Sequence, residues 1–420
     1  MKFLRLHYIY LIFIIISFFI GYALVENSSG GGAFDIVHIF LNYQLFEKNN
    51  LLIEFPWIEY ESTSLPLYYF ITSFFFDFTD SLELRVFNLV IALLCFFIFY
   101  RTLKLVFKNK DTFFKNHHLL LMASTILLSP YLRTSTFWGL EEVIGIFCLL
   151  FSIFYFKLFE LKKSNYNLLM CIFFTCLSFY TRQSYIFLMA FIFFNLIDLK
   201  KIFEKKNFVI IFYFIFFLLP ALYIFYIWGH VFPPHSVLVS DRFKLLLITN
   251  IPFIFNIILV YILPFTFFMV KDIYKIKDLI FSKKYLFIIF YFFNLLLLNM
   301  IDIPSNGGGA VSKILIFLFQ KGQVFNLLFS LSSTISFIII CHIYLISKKL
   351  GLFFILIIFT FLNIGQVFQE YFDPVVFIFM LVFYPYPLLN QKKANQFSLL
   401  IPTYHAAFLM FALIYYYKII

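Results

Sequence analysis

Asp35 and His38 put a carboxylate and an imidazole three positions apart, shortly after the first long apolar segment of this 420-residue chain. On a helix that spacing places both on one face. A carboxylate at the rim of a membrane cavity can have a tuned pKa and take a proton as a general base. Asp35 can equally do no more than charge the first turn of an interfacial helix, where the macrodipole favours an acid. Thr63, Ser64, Leu65, Pro66, Leu67, Tyr68 and Tyr69 follow as a capped helix start, which tolerates Pro66 and sets two tyrosines at the interface. Arg182 and Gln183 sit in a hairpin tip between two apolar segments. An arginine there calls for an acid or a phosphate, or else snorkels to headgroup level. Arg133 and Trp138 precede Glu141 and Glu142, two carboxylates that are costly at a membrane rim unless used or paired. Further on, His230, Pro233, Pro234, His235, Arg242 and Lys244 form a turn able to grip a phosphate, or simply to be solvated. The run Gly307, Gly308, Gly309 before Lys313 reads as a mobile loop rather than a phosphate cradle.

The elements that must carry these residues are membrane helices. The chain is 63% hydrophobic and 24% aromatic, only 13% charged, with a mean hydropathy of +0.96. A soluble domain carries roughly a quarter charged residues, so a polytopic membrane protein is the class that fits. Windows of roughly 17–25 apolar residues predict about thirteen spans, near 8–25, 84–106, 118–132, 138–158, 166–181, 184–198, 208–228, 248–270, 285–301, 322–346, 351–366, 373–389 and 398–417. Residues 8–25 resemble a signal-peptide core, but no small-residue cleavage site follows, so they are read as a span. The stretch 65–79 suits a helix lying in the interface. The expected fold is therefore all-α, a single integral-membrane domain over 1–420, with residues 26–64 as a first outward loop bearing interfacial helices.

Charge orients the spans. Most of the 32 Lys and Arg fall in one set of short loops, around Lys2, Arg101–Lys115, Lys157–Lys163, Lys200–Lys206, Lys271–Lys284, Lys348 and Lys392. That set is assigned to the cytoplasm, and the net charge of +11 then reflects topology rather than nucleic-acid binding. The opposite loops hold most of the acids, among them Glu26, Asp35, Asp241, Asp302 and Glu370. The five cysteines, Cys95, Cys148, Cys171, Cys176 and Cys341, all lie in apolar segments without a CxxC pair, which speaks against a disulfide framework and against zinc. No nucleotide-binding loop and no internal repeat of the transporter kind is found.

This layout resembles the GT-C superfamily of membrane glycosyltransferases, which take sugars from polyprenyl-phosphate carriers. In detail it is most similar to the dolichyl-phosphate-glucose α-1,2-glucosyltransferase family. The likeness rests on Asp35-Ile36-Val37-His38 with Gln44, on Thr63-Ser64-Leu65-Pro66-Leu67-Tyr68, on Arg182-Gln183-Ser184, and on Gln369-Glu370-Tyr371 with Pro374. The chain departs from that family at Ile36, Leu67, Tyr185 and Glu370, where a second acid, a glycine, an asparagine and an arginine are expected. The resemblance implies an inverting transfer of a sugar, such as glucose, to a hydroxyl acceptor on the outer or lumenal face. Asp35 would be the base and His38 its partner. Arg182, Gln183, Arg242, Arg133, His235 and Glu142 would bind the lipid phosphate and substrate, and Tyr68, Tyr69 and Trp138 would stack on sugar faces or line the lipid groove. The donor is a polyprenyl-phosphate sugar, no metal ligand is assigned, and a divalent-metal requirement is left open. Compact loops and an AT-biased composition favour a bacterial inner membrane with a periplasmic site, the alternative being the ER lumen. A transporter or flippase of lipid-linked sugars shares the same shell, and a surface-polysaccharide polymerase or ligase is the third reading.

Overall fold

The computed structural model describes residues 2–48, 60, 62, 64–73, 75, 81–108, 113–201, 203–231, 247–269, 273–301, 307–386 and 390–417. Among these the protein is all-helical, with no strand. Its helices form two compact units, Met1–Val239 with Asn390–Ile420, and Ser240–Leu389.

Seven helices are long and apolar enough to cross a membrane: Leu4–Ala23, Ser81–Phe107, Glu142–Lys162, Lys205–Trp228, Ile248–Met269, Gln323–Ile346 and Gln391–Tyr416. An eighth crossing is formed if Ile273–Ser282 and Lys284–Met300, bent by 79° at their junction, count as one span. The other predicted windows are occupied by shorter helices. The window 118–132 is the clearest case, because Ser129-Pro130 ends one helix and starts another inside it.

The first unit contains α1 (Lys2–Ala23), α2 (Gly32–Lys48), α3 (Leu67–Ser73), α4 (Ser81–Lys108), α5 (Asn116–Ser124), α6 (Pro130–Trp138), α7 (Glu142–Lys162), α8 (Asn165–Thr181), α9 (Ile186–Leu196), α10 (Lys205–Trp228) and the closing helix Gln391–Tyr416. The two ends of α1 mark its two faces. At the start of α1, His7 bonds Ser398 at 2.8 Å and its ring meets those of His117 and His118. His118 in turn bonds Asn395 at 2.5 Å. Lys115 flanks this end. The far end of α1 leads to Glu26 and the acidic segments. At 1.5 Å per residue the 22 residues of α1 separate these ends by about 33 Å, a bilayer's thickness.

Helix α6 shows how local sequence sets a boundary. Ser129 Oγ accepts the Leu132 N–H at 3.0 Å, Pro130 occupies the first turn, and Gly139 closes the helix in the left-handed region at φ 74°. In α10, Pro220 interrupts the intrahelical ladder. Tyr180 of α8 inserts its hydroxyl there, accepting from Ala221 N at 2.8 Å and donating to Phe217 O at 2.9 Å. Tyr180 thereby replaces a missing helical bond and fastens α8 to α10.

The second unit runs through α11 (Ile251–Ile262), α12 (Thr266–Met269), α13 (Ile273–Ser282), α14 (Lys284–Met300), α15 (Gly309–Phe319), α16 (Gln323–Ile346), α17 (Lys348–Phe361) and α18 (Val375–Phe383). Asn256 of α11 donates to Phe329 O of α16 at 3.0 Å. The triplet Gly307–Gly309, all at positive φ, turns the chain into α15, whose Ala310 N–H is taken by Gln369 Oε1 at 2.6 Å. That glycine run and the Gln369 segment are therefore joined to each other, and the start of α15 is occupied by a side chain rather than open to a phosphate.

Candidate functional site

The acidic end of the first unit gathers residues from five places in the chain. The turn after α1 is built on Asn27, whose Oδ1 accepts from Gly30 N and Gly32 N, each at 3.1 Å. Ser28 Oγ donates to Pro130 O at 3.0 Å, and Ser29 N donates to Thr134 Oγ1 at 2.8 Å, which docks the turn onto α6. Asp35 falls in the first turn of α2. A Cβ on Gly31 would lie 2.8 Å from Asp35 Oδ2, and one on Gly32 would lie 2.5 Å from the Trp138 ring. The two glycines thus let the Asp35 carboxyl fold back over the helix start and let Trp138 lie against it. His38 shares α2 with Asp35, as the spacing predicts, and its ring meets that of Phe34 at 4.7 Å.

Glu141 immediately precedes α7, and Glu142 opens its first turn. Gly145 leaves space for the end of α8, because a Cβ there would stand 2.7 Å from Thr181 Oγ1 and 2.8 Å from the Tyr185 ring. That close approach of α7 and α8 brings Glu142 Oε1 within 3.6 Å of Arg182 Nη1. The Arg182 guanidinium also lies over the Tyr131 ring at 5.3 Å. Gln183 donates to Val231 O at 2.8 Å.

Glu141 stands one residue ahead of the span Glu142–Lys162. Ser64 Oγ donates to its Oε1 at 2.6 Å. Burial pushes the Glu141 carboxyl up to about 7, the neighbouring Asp35 charge adds to the rise, and hydrogen bonds from Ser64 and Tyr69 oppose it. The wall around it is aromatic. Tyr43, Tyr60, Tyr68 and Tyr69 are all buried, with ring centroids 5.2 Å (Tyr43–Tyr69), 5.8 Å (Tyr60–Tyr69) and 5.8 Å (Tyr68–Tyr69) apart. Burial raises the pKa of each hydroxyl, and the Glu141 charge raises it further, so the four stay neutral.

Three sequence expectations change at this point. Arg133 is not a phosphate ligand in waiting: its Nε donates to Glu26 Oε1 at 2.7 Å, its Nη2 to Glu26 Oε2 at 2.5 Å and to Ser17 O at 2.9 Å. The Arg133 side chain is 2% exposed, so its charge is spent on Glu26. Tyr68 and Tyr69 do not present open faces either. Tyr68 donates to Gly139 O at 2.6 Å, and Tyr69 OH accepts from Asn42 at 3.2 Å. They form the wall, not a stacking platform. Arg242 and His235 lie outside the described residues, as does Thr63.

Glu26, Asn88 and Glu141 belong to the site without having been assigned a role from sequence, and Ser64 was read only as a helix cap and part of a motif. Asn88 donates to Ser135 O at 3.1 Å and to Leu140 O at 2.7 Å, fixing the α6–α7 corner. Its signal was present in the sequence as an amide in the middle of an apolar span, where a polar group is costly. Glu141 was visible only as the twin of Glu142. Among the described residues no group of three His, Cys, Asp or Glu side chains is placed to hold a metal.

Fold and site together describe an all-helical membrane protein, with helices enough for several crossings and a carboxylate-rich rim at one end of its first unit. No protein-family model, no curated protein and no solved structure matches the chain.

Proposed function

We propose that this protein is a GT-C-type glycosyltransferase that moves a sugar from a polyprenyl-phosphate carrier to a hydroxyl acceptor. The proposal includes about thirteen crossings in a GT-C-like arrangement, and a bacterial inner membrane with the site facing the periplasm. The observation that carries it is the meeting of Asp35, Glu141, Glu142 and Arg182 at one end of the first unit, opposite the end flanked by Lys115. An enzyme that works on one side of a membrane needs such one-sided chemistry.

In this mechanism Asp35 takes the proton of the acceptor hydroxyl as that oxygen attacks the anomeric carbon. The new carbon–oxygen bond forms while the bond from carbon to phosphate oxygen breaks, inverting the centre, and the lipid phosphate leaves with the electron pair. Arg182 meets the growing phosphate charge, helped by Gln183. The Arg182 Nη1 lies 3.6 Å from Glu142 Oε1, and its guanidinium lies over the Tyr131 ring. His38 orients the base, and Trp138 lies where a sugar ring would enter beside Gly32. With a polyprenyl-phosphate sugar as donor, Asp35→Asn is expected to lower transfer by about 10²–10⁴-fold. Full activity in that variant sinks the base assignment.

The bend between α13 and α14 favours a second reading, a flippase or transporter of lipid-linked sugars, since such proteins build sites around broken helices. Reconstituted vesicles separate the two: a flippase moves labelled lipid-linked sugar across the bilayer with no acceptor present and forms no glycosidic product.

A further inference from the structure

Helix α13 differs from its neighbours in direction and in the pattern of its side chains. It meets α14 at an angle of 79°. With 17 residues, α14 alone reaches the lower end of the roughly 17–25 that cross a bilayer, so the crossing does not need α13. A helix at that angle to a span runs close to the plane of the membrane.

The spacing of its residues gives α13 three sides. Ile276 and Leu279, at i and i+3, are its two partly covered side chains, and α13 packs along α16. Lys275, Asp278 and Ser282, at i, i+3 and i+7, make a second side that is polar and exposed. Ile273, Tyr274, Ile280 and Phe281 make a third side, apolar and left open by the protein, with Tyr274 76% and Phe281 65% exposed. Lys277 stands in the middle of that side, its ammonium over the Phe281 ring at 5.8 Å. At the corner, Lys284 lies over the Tyr285 ring at 5.0 Å, beside Lys283. A lysine set against an aromatic ring on an apolar surface suits the level of lipid headgroups.

Neither water nor hydrocarbon alone fits all three sides. In water, four large apolar side chains would stay uncovered along one side of a ten-residue helix. As the first half of a bent span, α13 would carry Lys275, Lys277 and Asp278 into hydrocarbon. In the interface plane each side meets the medium it suits. From Lys275 to Lys284 the chain also holds four lysines against one aspartate. This segment belongs to the basic loops that the charge bias assigns to the cytoplasm, where the leaflet carries negative charge.

We propose that α13 lies in the cytoplasmic surface of the membrane and holds anionic phospholipid headgroups through Lys277, Lys283 and Lys284. Its apolar side enters the boundary between headgroups and acyl chains to a depth of about 5–10 Å. The anchor goes beyond the glycosyltransferase reading and does not depend on it. It holds the start of α14 at one leaflet, whatever chemistry the first unit performs.

Nitroxide labels on the full chain in lipid nanodiscs test the placement without any turnover. Phe281→Cys and Ser282→Cys are each compared with the labelled parent protein, whose own cysteines set the background. The Phe281 label is expected to be reached by oxygen and shielded from a water-soluble nickel chelate, and the Ser282 label to show the reverse. Equal access of the chelate to both makes α13 a solvated connector, and shielding of both makes it half of a bent span. Either result overturns the proposal. Spin-labelled lipids test the headgroup. Phosphatidylglycerol is expected to be held at the protein surface in preference to phosphatidylcholine, and less so as salt rises. Lys277→Gln, Lys283→Gln and Lys284→Gln each weaken that preference by up to about fivefold. A preference that is absent in the wild type, or unchanged in the triple variant, overturns the headgroup assignment. All three lysines are exposed, so the substitutions spare the packing, and the label pair reads the placement independently.

Discussion

Replacing Arg133 with methionine asks whether this arginine serves structure or substrate. The guanidinium gives three short hydrogen bonds, at 2.7 Å and 2.5 Å to the two Glu26 oxygens and at 2.9 Å to Ser17 O. The two side chains are 2% and 9% exposed, so solvent does little to screen the pair. The guanidinium carbon also lies over the rings of Phe137 and Phe18, 5.3 and 5.8 Å from their centroids. Methionine keeps much of the apolar stem but leaves Glu26 buried and unpaired, which costs about 3–5 kcal/mol. At about 1.4 kcal/mol per tenfold, a mid-range loss shifts the folding equilibrium by roughly 10³. Glu26→Gln in the same background removes the stranded charge and should recover most of that loss. The assay is a double-mutant cycle by denaturing-detergent titration of the purified protein, read through tryptophan fluorescence. The reasoning fails if Arg133→Met costs no more than the about 1 kcal/mol of an exposed pair, or if the double variant is no more stable than the single. A stable Arg133→Met protein that has lost transfer would return this arginine to the phosphate.

Two smaller perturbations probe the same frame. Gly21→Ala gains up to about 1 kcal/mol of helix propensity, yet its Cβ would stand 2.3 Å from Arg133 Nη2 and 2.6 Å from Glu26 Oε2. A net loss of about 1–3 kcal/mol is expected, shrinking when Arg133 and Glu26 are already Met and Gln. A stabilised Gly21→Ala protein contradicts the placement of the ion pair. Tyr180→Phe removes the hydroxyl that bridges Ala221 N and Phe217 O, for a loss of about 1–3 kcal/mol. Pro220→Ala in the same chain should reduce that loss, because the helix can then close its own ladder, and equal losses in both backgrounds argue against the bridge.

Much of the fold is legible without coordinates because its signals are local. Hydropathy alone marks Leu4–Ala23, Ser81–Phe107 and Gln323–Ile346 as spans. Span counting goes astray where apolar stretches are broken by turns: Ser129-Pro130 and Gly139 are plain stop and start signals, but a window averaged over 118–132 and 138–158 passes across them. The site was half legible. Asp35 and the Arg182 turn stand out by residue type. Arg133 stands out equally and means something else, since nothing near it in sequence announces Glu26, 107 residues away.

The sequence by itself determined the class of molecule, its apolar helices, the segregation of its charges and the placement of Asp35 in the first turn of a helix. Each of these follows from composition or from contacts within one turn of chain. Which arginine belongs to which acid was decided only by the tertiary structure. So was the fate of Glu141, whose Oε1 takes the Ser64 hydroxyl. Ion pairing in a water-poor site depends on which helix ends meet. That meeting is set by close approaches at Gly21, Gly31 and Gly145, where the absence of a side chain shows its effect only once the helices are packed.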